Sequence, residues 1–307
     1  MSYKILPVPF AESLYGTKSK NIYQQILSVK GSNDNYSHYF PTNLIDQNCK
    51  ILEPLQYQSL PDDELKKGSY FKSCLSMATS LQQKIVSEID FENDKLCLIG
   101  GDHSISIGTG AGLSKLTNLS KIGLIWIDAH GDFNTPETSV SKSITGYPCA
   151  INNGLGLSEF TDLYQGNFIQ KTVQIGLRDV DELEHQNLLQ KNIKTYSALD
   201  IEDLGISAIM HQTLEYLQDC DYLWLSVDID SLDSIYFEPG ETDEPTFAGM
   251  TPRELMFITQ KTEQTGKLKI FEIVQLNNLE KRTNLVVLAN RLIETSFGLG
   301  KYRYNNS

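Results

Sequence analysis

The chain has 307 residues, of which 40% are hydrophobic and 21% charged, with 21 Gly and 10 Pro. That is the composition of an ordinary globular protein, and it excludes a disordered, collagen-like or disulfide-framed chain. Against 39 Asp and Glu stand 26 Lys and Arg, a formal net charge of −13, too acidic for a broad surface that neutralises a nucleic-acid backbone.

The first residues, MSYKILPVPF, hold too short an apolar run for a signal peptide, and Pro7 and Pro9 interrupt it. No stretch reaches the ~18–20 apolar residues of a membrane span. The five cysteines, Cys49, Cys74, Cys97, Cys149 and Cys220, are odd in number and form no CxxC pair. They read as reduced and mostly buried thiols, which predicts a soluble, cytoplasmic protein.

Residues 31–48 read as a loop. Residues 62–89 open on Asp-Asp-Glu-Leu and carry Leu75, Ala78, Leu81, Ile85 and Ile89 at helical spacing. Residues 95–99 form an apolar run that predicts a strand, followed by Gly-Gly-Asp-His and a helical segment. Further strands are expected at 122–127, 172–177, 222–227 and 268–274, and loops at 131–145 and 231–250. Helices are expected at 205–218, 251–265 and 283–297. Thr251, Pro252 and Glu254 are an N-cap hydroxyl, a first-turn proline and a capping-box acid. The strand runs are continuous rather than alternating, as in strands covered on both faces. Strand–helix alternation without a linker or repeat predicts one α/β domain over residues 1–307, built on a mostly parallel sheet.

Three segments that directly follow strands share a design: Gly100-Gly101-Asp102-His103-Ser104, Asp128-Ala129-His130-Gly131-Asp132 and Asp228-Ile229-Asp230-Ser231-Leu232-Asp233. In open α/β sheets the carboxyl ends of strands are where ligands bind. In Asp128/His130/Asp132 and Asp228/Asp230 the ligand types recur at every second residue, which on extended backbone puts them on one side. Four carboxylates and two imidazoles at one sheet edge repel without cations, and a pair of divalent metals resolves that. The oxygen-rich set with some imidazole suits Mn²⁺. Two such ions can hold a bridging hydroxide at neutral pH as the nucleophile. Taken singly, a DxD at a strand end is as readily a solvated turn, and His103 a helix-cap residue. His38, His185 and His211 lack metal-like spacing, Trp126 and Trp224 read as core, and the glycines at 108, 110 and 112 lack the context of a phosphate loop.

With these motifs the chain resembles the ureohydrolase superfamily of arginases, agmatinases and formimidoylglutamases, whose three metal motifs GGDHS, DAHGD and SVDIDSLD match in order. The resemblance implies a three-layer α/β/α arginase-like fold with a mostly parallel central sheet. It implies two Mn²⁺ ions per chain held by His103, Asp128, His130, Asp132, Asp228 and Asp230. It also implies hydrolysis of a C–N bond in a small linear amidine or guanidine, with Asp132 relaying a proton to the leaving nitrogen. Members usually assemble as trimers or hexamers, so a homo-oligomer is expected. Asn134, Ser141 and Asp181, with Asp179 in the same Gly-Leu-Arg-Asp-Val-Asp run, match positions that hold an amino-acid head. The same run also reads as a strand end followed by a capped helix.

Two positions depart from the family pattern. Thr145 stands where arginases and agmatinases place a proton-shuttle His, and a hydroxyl does not titrate near neutrality. Gln275 stands where a Glu pairs with the cationic substrate, so the charge-assisted part of that contact is lost. Glu272 matches a different acidic position, and Glu244 or Glu241 in the 231–250 loop is a candidate replacement for the charge. The alternative to an arginase-like or formimidoylglutamase-like hydrolase is therefore a metal-binding member that holds a ligand with impaired or no catalysis.

Overall fold

The computed structural model describes residues 2–12, 49–60, 70–236, 246–276 and 284–299. Among the described residues eight strands form one sheet: β1 (Ser2–Val8), β2 (Cys49–Ile51), β3 (Asp94–Gly100), β4 (Ile122–Ile127), β5 (Lys171–Leu177), β6 (Lys194–Ser197), β7 (Tyr222–Asp228) and β8 (Leu268–Val274). Their spatial order is β2-β1-β3-β8-β7-β4-β5-β6, and every pairing is parallel. The helices among the described residues are α1 (Phe71–Glu88), α2 (Ile105–Leu116), α3 (Pro148–Asn152), α4 (Ser158–Thr161), α5 (Glu182–Gln190), α6 (Ala198–Leu204), α7 (Ile206–Tyr216), α8 (Pro252–Gln264) and α9 (Asn284–Ser296). None is long and apolar enough to cross a membrane.

Alternate strand residues feed two cores. Leu96 and Leu98 of β3, Leu124 and Trp126 of β4 and Trp224 of β7 pack with α1 to α5. Cys97, Ile99, Ile125, Ile127, Leu225 and Val227 pack with α6 to α9. The sheet is thus covered on both faces, which is why its strands read as unbroken apolar runs. This is the expected three-layer α/β/α arrangement. Cys74, Cys97, Cys149 and Cys220 are buried and all five thiols are free.

The central strands match the sequence expectations to within a residue or so. The helix expected from 62 begins, in its described part, at Phe71, and residues 61–69 lie outside the described residues, as does the loop 31–48. The helix expected at 205–218 is α7, which Gly205 separates from the unanticipated α6. Strands β1, β2 and β6 were not anticipated.

After β4 the chain moves outward to β5, and after β7 it moves the other way to β8. The adjacent carboxyl ends of β4 and β7 therefore form a switch point, the place where open α/β sheets bind their ligands. Ile127 pairs with Val227, so Asp128 and Asp228 follow side by side. The turn after β3 runs close to the segment after β1: Gly101 N–H donates to Val8 O and Asp102 N–H to Phe10 O. A Cβ at Gly101 would lie 1.9 Å from the Phe10 carbonyl oxygen, so only glycine lets this turn present His103.

Candidate metal centre

His103, Asp128 and Asp228 form one donor group, and Asp128, His130 and Asp230 form a second, each with its ligand atoms within 4.8 Å of one another. Asp128 belongs to both. Its Oδ2 lies 3.0 Å from His103 Nδ1, and its Oδ1 lies 3.4 Å from His130 Nδ1. His103 Nδ1 also lies 3.2 Å from Asp228 Oδ2 and 3.3 Å from Asp132 Oδ2. His130 Nδ1 is 3.3 Å from Asp230 Oδ2. Neighbouring donors on an octahedral cation with bonds of about 2.1 Å stand about 3.0 Å apart, so both groups match the spacing of a divalent ion.

The charges make the same point. Burial alone would lower the His103 imidazole, but hydrogen bonds to Asp128, Asp132 and Asp228 hold its proton affinity well above the ordinary value. At His130 burial also opposes charging, and the carboxylates of Asp230 and Asp128 outweigh it. Burial pushes the Asp132 carboxyl up, reinforced by the charge of Asp128. Asp228 is raised by burial and by Asp230 and Asp128. Asp128 is held low, since both imidazoles overcome its burial. The cluster demands positive charge at its centre. Protons on the imidazoles meet that demand in the metal-free chain, and cations meet it better.

The six predicted ligands come together, but not by simple alternation along extended backbone. Asp132 adopts a left-handed conformation with φ 49°, and this bend carries its carboxylate to His103. Residues 229–231 form a 3₁₀ turn in which Asp228 Oδ1 accepts the Asp230 N–H at 2.9 Å. The turn places Asp230 beside Asp128, because a strand end released from its ladder must find new partners for its N–H groups.

The other predicted residues are placed as follows. Asn134 Nδ2 donates to Asp181 Oδ2 at 3.3 Å, so these two meet. Asp181 is also the N-cap of α5, with Glu184 completing the capping box; both readings of that run therefore apply. Asp179 is exposed, and its backbone pairs with His130. Ser141 is exposed on the loop after Asp132, where its Oγ accepts the Ser143 N–H at 3.2 Å. Thr145 Oγ1 lies 2.8 Å from Ser143 Oγ. Gln275 follows β8 with φ 63°, its N–H on Gly101 O at 2.6 Å, and its buried Oε1 has no hydrogen-bond partner. Glu241 and Glu244 lie outside the described residues.

Sequence reasoning missed the residues that support the ligands. Trp126 is core, as expected, but its indole N–H also donates to Asp128 Oδ2 at 3.0 Å. Ser226 Oγ lies 2.8 Å from His103 Nε2 and donates to Glu272 Oε2 at 2.8 Å. Arg178 donates to the carbonyls of Asp230, Leu232, Thr246 and Phe247, tying together both ends of the β7–α8 connection. Glu184 accepts the Phe133 N–H at 2.7 Å and braces the loop that carries Asp132. A usable signal existed for Ser226 and Glu272. Each interrupts an apolar run, Ser226 between Leu225 and Val227 and Glu272 between Phe271 and Ile273, and a buried polar side chain implies a partner.

A family model described as "Arginase family" matches residues 33–298. An arginase of Staphylococcus aureus strain MRSA252 is 38% identical over 224 residues, 70% of this chain and 72% of that protein. The crystal structure of arginase from Bacillus subtilis strain 168 superposes with a TM-score of 0.82 at 30% identity, covering 98% of this chain and 99% of the other. A formimidoylglutamase from the same organism shares the fold at a TM-score of 0.74 and 17% identity, over 98% of this chain and 89% of the other.

Proposed function

The chain belongs to the arginase family, and from that premise we propose that it hydrolyses a C–N bond in a linear guanidino or amidino compound with an amino-acid head, using two divalent cations, Mn²⁺ foremost. The observation that carries this reading is the pair of donor groups joined through Asp128. His103, Asp128 and Asp228, with Asp132 beside them, would hold one cation; Asp128, His130 and Asp230 would hold the other. Such a pair would acidify a bound water and so supply a nucleophile at neutral pH.

The chain's own groups do the rest. Asp132 is buried, and its carboxyl is raised in the metal-free chain. It takes the proton that the attacking water loses and passes it to the leaving nitrogen. Asp181 accepts from an α-ammonium group, and Asn134 and Ser141 donate to the α-carboxylate. Thr145 orients a substrate N–H or oxygen through its hydroxyl without titrating near neutrality. Gln275 accepts one N–H of the reacting group through a neutral oxygen. The five free thiols fit a cytoplasmic setting, and assembly into a trimer or hexamer follows the family pattern.

The second reading is ligand binding with impaired or no turnover, favoured by Gln275 in place of an acid. The test is incubation with Mn²⁺ followed by arginine, agmatine, guanidinobutyrate and formimidoylglutamate, with urea, formamide and ammonia as readouts. Product is expected from a substrate with an amino-acid head and not from agmatine. Two bound metals without product from any of the four would overturn hydrolysis in favour of the second reading.

A further inference from the structure

We propose that Glu272 is a positioning residue that fixes the tautomer of His103, so that with a cation bound Nδ1 is its ligand atom beside the carboxylates of Asp128, Asp132 and Asp228. The inference rests on the metal-binding reading above.

Glu272 is fully buried on β8, paired in register with Ser226 on β7 and Leu98 on β3. Its carboxylate accepts from three hydroxyls: Ser106 at 2.5 Å and Ser226 at 2.8 Å on Oε2, and Thr109 at 2.8 Å on Oε1. Two of these hydroxyls come from α2, the helix that follows His103. An ionised carboxylate only accepts, and each hydroxyl has one proton to give. Ser226 gives its proton to Glu272, so toward His103 Nε2, 2.8 Å away, it can only accept. Nε2 must therefore carry the N–H. A bound cation displaces the Nδ1 proton of the metal-free chain, and the neutral imidazole that remains carries one N–H, which leaves a lone pair on Nδ1 for the ion. That nitrogen faces three carboxylate oxygens at 3.0–3.3 Å, the position a cation would take. The parallel ring of Trp126, stacked on His103, keeps the imidazole from turning. A histidine ligand whose other nitrogen is held in this way is better oriented for a metal, and loss of such support typically weakens metal binding about 10–100-fold.

The distinguishing variants are Glu272→Met and Glu272→Gln, with Mn²⁺ binding followed by calorimetry. In Glu272→Met, Ser226 has no acceptor and turns its proton toward Nε2. The N–H then sits on Nδ1, against the carboxylates. One of the two sites should weaken at least tenfold while the other keeps its affinity. In Glu272→Gln the amide oxygen still accepts from Ser226 and the amide N–H faces Thr109, which also reaches Ile105 O. This variant should bind like the wild type. Histidine ¹⁵N spectra of the Zn²⁺-loaded protein should show a protonated Nε2 and a ligated Nδ1 in the wild type and Glu272→Gln.

Unchanged affinity in Glu272→Met would overturn the proposal. So would an equal loss in Glu272→Gln, which would assign the role to charge alone. If Glu272→Met does not fold, Ser226→Ala breaks the same link with Glu272 in place, and it must weaken the same single site. A wild type that binds no metal overturns the metal-binding reading itself, and this inference with it. A wild type with two sites and an unaffected Glu272→Met overturns the inference alone.

Discussion

Trp126 lies flat on His103, with ring centroids 3.8 Å apart and planes 7° from parallel. It donates its indole N–H to Asp128 Oδ2, the oxygen that His103 Nδ1 also approaches. One side chain thus orients a ligand from each of two strand ends. Trp126→Phe keeps much of the stacking surface and removes the N–H. The buried Asp128 oxygen then loses one of its two hydrogen-bond partners, at a cost of about 1–3 kcal/mol. Calorimetric titration should show Mn²⁺ binding weakened by about tenfold or more. Wild-type affinity would mean the indole contributes packing alone.

Gln275 tests the substrate contact. Its main chain is anchored to Gly101 O, so Gln275→Glu changes the head group with little movement of the backbone. A charge-assisted hydrogen bond is roughly twice as strong as a neutral one, a difference of about 1 kcal/mol. Arginine kcat/KM should rise about fivefold to tenfold, mainly through KM. No change would place the side chain away from the reacting cation.

Glu184 sets a pH dependence in the metal-free chain. Burial, with Asp181 adding to it, pushes its carboxyl up from 4.5 to about 7 against the N–H donors of Phe133 and Asp181. The native state then binds more protons than the unfolded chain between those values, so this group makes stability fall as pH rises through the window. At about 1.4 kcal/mol per tenfold change in proton affinity, the whole effect is about 3 kcal/mol. Glu184→Gln should flatten the stability curve of metal-free protein between pH 4.5 and 7. Denaturant unfolding at several pH values reads this, and an unchanged slope would show that the carboxyl titrates normally.

Gly176 lets β5 pass the ligand loop. Its φ is +106°, and a Cβ there would stand 2.9 Å from the Asp128 carbonyl oxygen. Gly176→Ala should cost about 1–3 kcal/mol through backbone strain and displace Asp128, lowering both the unfolding midpoint and metal affinity. A wild-type midpoint would show that the loop yields freely.

The five central strands were legible because burial on both faces selects continuous apolar runs. β1 was not, since Lys4 and Pro7 break its run. β2 and β6, at three and four residues, are too short for a periodic signal. The six ligands were legible as residue types after strands, because sheet topology alone brings the ends of β3, β4 and β7 together. Their local geometry was not: nothing in the sequence marks Asp132 for a left-handed turn or residues 229–231 for a 3₁₀ turn. The chain from His103 through Ser226 to Glu272 crosses three strands, 123 and 46 residues apart in sequence. Only strand order and register reveal it.

The proposed hydrolysis stands on a two-cation centre joined through Asp128. The most direct test is the metal content of purified protein after Mn²⁺ loading and desalting, for the wild type and Asp128→Asn. Two Mn²⁺ per wild-type chain are expected, with a loss at both sites in the variant, to below one per chain. One ion or none in the wild type, or two retained in Asp128→Asn, would contradict it.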